Sequence, residues 1–362
     1  MSRDQLSRRT GGVPVMKTPA LAVDVAGGPF VPTTLDRREP RGDDVQIDIA
    51  FTGICHSDLH RVQGDWDNGV FPMVPGHEIS GVVGAVGEDV SAYRVGDRVG
   101  VGVMVDSCGT CEHCVGHQQQ FCVDGVVETY NSRAYDGSLT YGGYSRSIVV
   151  REPFVHRIPD GIELSGAAPL LCAGITVYSP LRRWGPVAGR KVAVVGIGGL
   201  GHLAVRMAAA MGAEVTALSR GGEKRADARR LGAVDHLATE GPSGLGGSRN
   251  RFDLMLNTVS APLDMDPYLA ALRPGGVLVN IGAPGVPLSC DPFSLIAGNR
   301  AIAGSMIGGS AETKEMLRFC AENDISTEVE VVDAAEIEWA YRRVRDGDAR
   351  YRLVIDATTI GT

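Results

Sequence analysis

The stretch KVAVVGIGGLGHLAVRMAAA, residues 191–210, constrains the fold more than any other part of the chain. The apolar run ending at Val195 reads as a strand, and the residues from His202 onward read as a helix. Between them Gly196, Gly198 and Gly201 spell G-x-G-x-x-G. Glycine at these positions permits a tight turn and close backbone approach to a pyrophosphate at a helix N-terminus. A lone glycine motif says little. Between a strand and a helix it predicts a doubly wound parallel sheet that binds a dinucleotide, with Gly196, Gly198, Gly199, Leu200 and Gly201 against the cofactor.

The surrounding pattern agrees. From about 165 to 310, strand-like runs alternate with helical ones: EVTAL precedes EKRADARRLGA, and FDLMLNTV precedes MDPYLAALRPGG. Residues 20–160 look different, with short Val/Ile runs such as VQIDIAFTGI and GDRVGVGVM punctuated by Gly, Pro and Asp. That is the look of a β-rich domain with many turns. At 362 residues the chain has room for two domains. The pattern divides the chain into a β-rich part over 1–163, a doubly wound α/β part over 164–311 and a tail over 312–362. The first fifteen residues are polar and aperiodic and read as a loose tail, with Met16 as an alternative start.

The formal net charge is −8 and no Lys/Arg run occurs, which disfavours nucleic acid or an anionic membrane as partner. No apolar stretch spans a bilayer or resembles a secretory signal, so a cytoplasmic protein is expected. Eight cysteines in such a chain are not expected to form disulfides.

Their spacing says more. Cys108, Cys111, Cys114 and Cys122 form C-x2-C-x2-C-x7-C, four soft ligands that can wrap one tetrahedral zinc ion in a closed, structural site. Ferredoxins also use C-x2-C-x2-C, but here the fourth cysteine lies seven residues on with no proline after it, which favours zinc over an iron–sulfur cluster. Cys55 and Cys172 could join His77 in a Cys2His set with an open fourth position, although on spacing alone that signal is weak. Cys290 and Cys320 read as small buried hydrophobes.

Two further features stand out. In GVFPMVPGHEISGVV, residues 69–83, His77 and Glu78 interrupt a segment that otherwise reads as buried. Leaving a polar group buried and unpaired costs roughly 2–7 kcal/mol, so the pair needs partners; a hydrogen-bonded core histidine is one reading of His77 and a metal ligand the other. The second feature follows the next cofactor strand. An NAD site usually places an acid there, whereas this chain has Ser219, Arg220 and Lys224, a hydroxyl and two cations suited to a 2′-phosphate.

Together GICHSDLH, PGHEISGVV, the four-cysteine loop, TYGGYS, CAGITVYSPLRRWG and GIGGLGH resemble the zinc-dependent medium-chain alcohol dehydrogenases, in the cinnamyl alcohol dehydrogenase-like branch. The resemblance runs from about residue 18 to the end. It implies a GroES-like catalytic domain over 1–163 to which 312–362 returns, a Rossmann cofactor domain over 164–311 and two zinc ions per chain. Cys55, His77 and Cys172 would hold the catalytic zinc, with Glu78 behind the metal as a transient ligand and Asp58 orienting His77. Ser57 would bond the substrate oxygen and His60 would pass the proton on. Thr176 would pack by the nicotinamide. His56 and Arg352 would face the pyrophosphate, and Ile281 and Ser305 would contact the cofactor.

The activity so implied is reversible hydride transfer between NADP(H) and a primary alcohol or aldehyde, aromatic, allylic or terpenoid. Imine or conjugated-double-bond reduction, and polyol oxidation, are the alternatives on the same scaffold. The loop VDGVVETYNSRAYDG carries Glu128 and lacks the tryptophan of many plant members, which points away from lignin precursors and toward a broad aldehyde reductase. A homodimer through the apolar, glycine-rich edge RAIAGSMIGG is expected.

Overall fold

The computed structural model describes residues 15–66, 69–240 and 244–362. The loose-tail expectation for the first fifteen residues lies outside the described residues except at Val15, which opens the strand Val15–Val23 instead.

The cofactor domain is a six-stranded, all-parallel sheet in the order Asp235–Ala238, Glu214–Ser219, Lys191–Val195, Phe252–Asn257, Leu272–Asn280, Ala301–Gly304. The alternation of side chains along a strand explains its apolar runs. Val192 and Val194 face one core together with Val215, Ala217, Leu254 and Leu256. Ala193 and Val195 face the other with Leu218, Phe252 and Met255. A sheet covered on both faces needs apolar residues at every position. The strand order reverses between Lys191–Val195 and Phe252–Asn257, which is where ligands bind in such sheets.

The catalytic domain is built on a seven-stranded sheet. Its central strand Asp44–Gly53 pairs antiparallel with Ile79–Val86, Ser147–Arg151 and Arg352–Asp356. A hairpin of Val15–Val23 and Phe30–Arg38 packs onto the same core. The two-domain plan read from the sequence is therefore present. One boundary differs. The helix Ser310–Glu322 contributes Met316, Leu317 and Cys320 to the cofactor-domain core, so the division expected at 312 falls inside it. The chain rejoins the catalytic sheet only at Val329–Asp333, which pairs with Arg352–Asp356. Cys320 is buried there, within 3.5 Å of the Met316 sulfur.

Among the described residues no single helix is long and apolar enough to cross a membrane. A bent pair, Leu164–Leu171 with Ala173–Arg183, has the length and composition of a broken span, but its apolar residues lie in the protein core.

Candidate metal centre and cofactor cleft

The central strand Asp44–Gly53 delivers Cys55 to the N-cap of the helix His56–Gln63. The Cys55 N–H donates to Asp58 Oδ2 at 2.9 Å. Asp58 is wholly buried, and its Oδ1 accepts from His77 Nδ1 at 3.1 Å and from the Gly76 N–H at 3.3 Å. A carboxylate only accepts, so His77 Nδ1 carries a hydrogen, which leaves Nε2, 3.2 Å from Cys172 Sγ, as the ring nitrogen a metal would take. The Tyr144 hydroxyl donates to Asp58 Oδ2 at 3.4 Å and accepts from the Tyr341 hydroxyl at 3.1 Å. A buried carboxylate is thus surrounded by donors from three segments of chain.

Gly76 turns the backbone into this site with φ 101°, and a Cβ there would sit 2.6 Å from the Tyr144 ring and 3.0 Å from the Gly143 nitrogen. Glu78, next along, is also wholly buried. Its Oε1 accepts from Arg352, while its Oε2 has no hydrogen-bond partner. Cys172 arrives from the other side, at the N-cap of the helix Ala173–Arg183.

One ligand atom from each of Cys55, His77, Glu78 and Cys172 lies within 4.8 Å of the others, and all four residues are buried. Two sulfurs, one imidazole nitrogen and an orphaned carboxylate oxygen are the donor set of a borderline-soft divalent ion such as zinc. The four groups perturb one another strongly. A hydrogen bond from Cys172 holds the Cys55 thiol well below the ordinary range, and the same bond with burial pushes Cys172 up. Burial opposes charging His77, but Asp58 and Cys55 outweigh it and hold the imidazole well above its usual value. Burial raises Glu78 to about 7 against the pull of Arg352.

The second cluster is Cys108, Cys111, Cys114 and Cys122, whose sulfurs also lie within 4.8 Å of one another. Gly109, at φ 74°, makes the turn after the first cysteine. The Cys111 N–H points at Cys108 Sγ and the Cys108 N–H at Cys122 Sγ, each at 3.4 Å. Backbone N–H groups of Val123 and Cys114 hold the Cys111 thiol down at about 6. Cys122 is also held below the ordinary range, while burial pushes Cys114 up to about 11; four cysteine ligands would leave no open position on a tetrahedral ion.

In the cleft, Gly196 adopts φ 88°, and a Cβ on Gly201 would strike the Gly196 carbonyl at 1.8 Å, so neither position tolerates a side chain. Gly198 faces open space. Leu200 is the N-cap of the helix Gly201–Ala210. Ser219 ends the neighbouring strand; its Oγ lies 2.8 Å from the Gly221 carbonyl and 2.8 Å from His236 Nε2. Arg220 is exposed, and Lys224 reaches back over the glycine turn to donate to the Ile197 carbonyl at 2.9 Å.

The remaining expected residues divide between two cavities. His56, Gly198, Gly199, Lys224 and Arg352 line one of about 350 Å³. Ile281 and Ser305 line one of about 1000 Å³ between the four-cysteine loop and the cofactor domain. Thr176 is half-buried one turn after Cys172, its N–H on the Cys172 carbonyl at 3.0 Å. Ser57 Oγ lies 3.7 Å from Cys55 Sγ, and His60, three residues on, pairs with Asp65 at 2.8 Å and stacks on Trp66. Arg352 reaches further than expected. It pairs with Glu78, donates to the Ile54 carbonyl at 3.1 Å, and its Nη1 would stand 2.9 Å from a Cβ on Gly199. Glu128 pairs with Arg61 at 2.6 Å.

Sequence reasoning missed Tyr130, stacked 5.9 Å from the His77 ring, and also Tyr144, Tyr341 and His236. Isolated tyrosines carry no periodic or spacing signal; only the TYGGYS motif drew attention to the neighbourhood of Tyr144.

Comparison with known proteins agrees with this geometry. Residues 41–160 match the alcohol dehydrogenase GroES-like domain, and residues 199–322 match the zinc-binding dehydrogenase family. A Bacillus subtilis protein named "Probable formaldehyde dehydrogenase AdhA" is 55% identical over 95% of this chain and 99% of its own. An NADP-dependent alcohol dehydrogenase C of Mycolicibacterium smegmatis is 51% identical, covering 94% of this chain and 98% of its own. The structure of a cinnamyl alcohol dehydrogenase from Sorghum bicolor superposes with a TM-score of 0.92 at 40% identity, over 95% of this chain and 98% of the other. With two cysteine sulfurs, an imidazole and a carboxylate gathered where a GroES-like sheet meets a dinucleotide-binding one, this chain belongs to the zinc-binding alcohol dehydrogenases, in the cinnamyl alcohol dehydrogenase-like branch.

Proposed function

We propose that this enzyme interconverts primary alcohols and aldehydes with NADP(H), running chiefly as an aldehyde reductase. The observation that carries the reading is the four-donor cluster of Cys55, His77, Glu78 and Cys172, linked through Arg352 to the glycine turn. Cys55, His77 and Cys172 would hold a zinc ion, which would supply Lewis acidity toward the substrate oxygen. Asp58 keeps His77 in the tautomer that can ligate it. Arg352 balances the Glu78 carboxylate, whose free Oε2 makes it a reserve ligand. Ser57 holds the substrate hydroxyl hydrogen, and His60, on the same helix face and partly exposed, passes the proton to solvent.

Ser219, Arg220 and Lys224 support selection of the 2′-phosphate, which the name of the M. smegmatis relative also favours. We further propose a cytoplasmic homodimer through Ala301–Gly304, the edge strand of the cofactor sheet. Light scattering giving a monomer or tetramer would exclude that assembly.

The test is NADPH absorbance across a panel of aldehydes, ketones, imines, enones and polyols. Turnover confined to imines, enones or polyols would reject the reading. Ser219→Asp with Arg220→Ala is expected to shift kcat/KM toward NADH. Each charge-assisted bond lost from the phosphate costs roughly 1.5–3 kcal/mol, about tenfold or more. A wild-type NADPH/NADH ratio near one would reject the phosphate site.

A further inference from the structure

We propose that His236 is the positioning residue that makes Ser219 a phosphate donor, and so sets part of the preference for NADPH over NADH. The inference rests on the 2′-phosphate reading of Ser219 given above.

His236 lies on the edge strand Asp235–Ala238, paired in parallel with Glu214–Ser219, and is 1% exposed. Its Nε2 and the Gly221 carbonyl oxygen each lie 2.8 Å from Ser219 Oγ. A serine hydroxyl has one hydrogen to give. A carbonyl oxygen can only accept, so at that distance the Ser219 hydrogen points at Gly221. Nε2 must then carry a hydrogen of its own and donate it to Oγ. In the other tautomer two lone pairs would face each other. The rest of the ring agrees, because Nδ1 is buried without a hydrogen-bond partner and a bare nitrogen there costs less than an unmade N–H bond.

This arrangement has a consequence for a phosphate. Phosphate oxygens accept and do not donate. When one arrives, the Ser219 hydrogen can swing from Gly221 to the phosphate while His236 keeps Oγ in place. The Gly221 carbonyl, half-exposed in its turn, can exchange that bond for one to water. The chain His236 N–H to Ser219 O–H to phosphate runs in one direction, and each bond polarises the next. Without His236 the hydroxyl is free to turn away. A ribose 2′-OH, which can donate to Ser219 as well as accept, depends far less on this anchor.

The experiment is fluorescence titration of the whole enzyme with NADPH and with NADH, for wild type and four variants. His236→Leu should raise the NADPH Kd about three- to tenfold, the worth of one neutral hydrogen bond, and leave the NADH Kd within about twofold. His236→Gln, whose amide nitrogen can take the place of Nε2, should restore most of the NADPH affinity. His236→Asn, whose amide stops short of Oγ, should behave like the leucine variant and replaces it if that protein does not fold. Ser219→Ala separates the two readings. Loss of NADPH affinity in Ser219→Ala but not in His236→Leu or His236→Asn would overturn the role of His236 and leave the phosphate site standing. No loss in Ser219→Ala would overturn both. An equal rise of both Kd values in the His236 variants, or no rescue by glutamine, would show a merely structural histidine.

Discussion

The two cysteine clusters hold the same number of donor residues and are made in opposite ways. The Cys108–Cys122 site closes within one loop, its sulfurs addressed by backbone amides of the same loop, and Cys108 and Cys111 are half-buried. The other site gathers Cys55 from the end of a sheet strand, His77 and Glu78 from a glycine turn, and Cys172 from a helix of the cofactor core. All four of its residues are buried, and one carboxylate oxygen has no partner. The loop spends all its donors on holding an ion. The assembled site keeps a group in reserve, at the junction of two domains where a substrate and a cofactor can meet. Local closure gives structure; assembly across the fold gives reactivity.

The comparison breaks most visibly if a ligand of the assembled site can be lost without consequence. Cys172→Ala or His77→Ala should cut aldehyde reduction by about a thousandfold or more, since several kcal/mol of transition-state stabilisation depend on the ion. NADPH binding by fluorescence should persist, and elemental analysis should show the zinc content halved, since one of the two clusters is lost. Retention of most of the activity would remove the distinction between the sites.

Asp58→Asn is the next test. An amide can donate to His77 as well as accept, so the tautomer is no longer imposed, and loss of such a partner typically costs about 10–100-fold in metal affinity or activity. The readout is chelator competition for the metal as well as turnover. Unchanged chelator sensitivity would mean that Asp58 is only a helix cap.

Tyr144→Phe and Tyr341→Phe probe one step further out. Each removes a hydroxyl from the chain Tyr341–Tyr144–Asp58. A few-fold loss of turnover is expected for Tyr144→Phe and less for Tyr341→Phe, in line with about 0.5–1.5 kcal/mol for one neutral hydrogen bond. A larger effect from Tyr341 would reverse the order in which these groups support the site.

Cys111→Ser should have the smallest effect on turnover per folded molecule and a clear effect on stability. Metal binding in a closed site is folding energy, so thermal unfolding should move down and proteolysis should begin near residues 108–122. A variant that kept its melting temperature and lost turnover would exchange the roles of the two clusters.

How much of this was legible beforehand follows the same contrast. The four-cysteine loop, the glycine turn and the two-domain plan rest on spacing and periodicity within short windows, and the sequence carries them openly. The division expected between 311 and 312 cuts the helix Ser310–Glu322, because a helical pattern does not say which core its apolar face will join; Met316, Leu317 and Cys320 joined that of the cofactor domain. Arg352 was expected to face the cofactor, and its pairing with Glu78 had no sequence signal, since 274 positions separate the two.

By itself, then, the sequence determined the strand–glycine–helix unit, the spacing of the four-cysteine loop, and the residue types proposed for a catalytic zinc and a 2′-phosphate. These depend on chain geometry over a few residues, where spacing is distance. Only the tertiary structure decided that Cys55, His77, Glu78 and Cys172 converge, that Asp58 imposes the His77 tautomer with Tyr144 and Tyr341 behind it, and that His236 stands against Ser219. Those contacts join segments whose separation along the chain carries no metric information. They exist because two folded cores pack together and bring buried polar groups to the partners that burial demands.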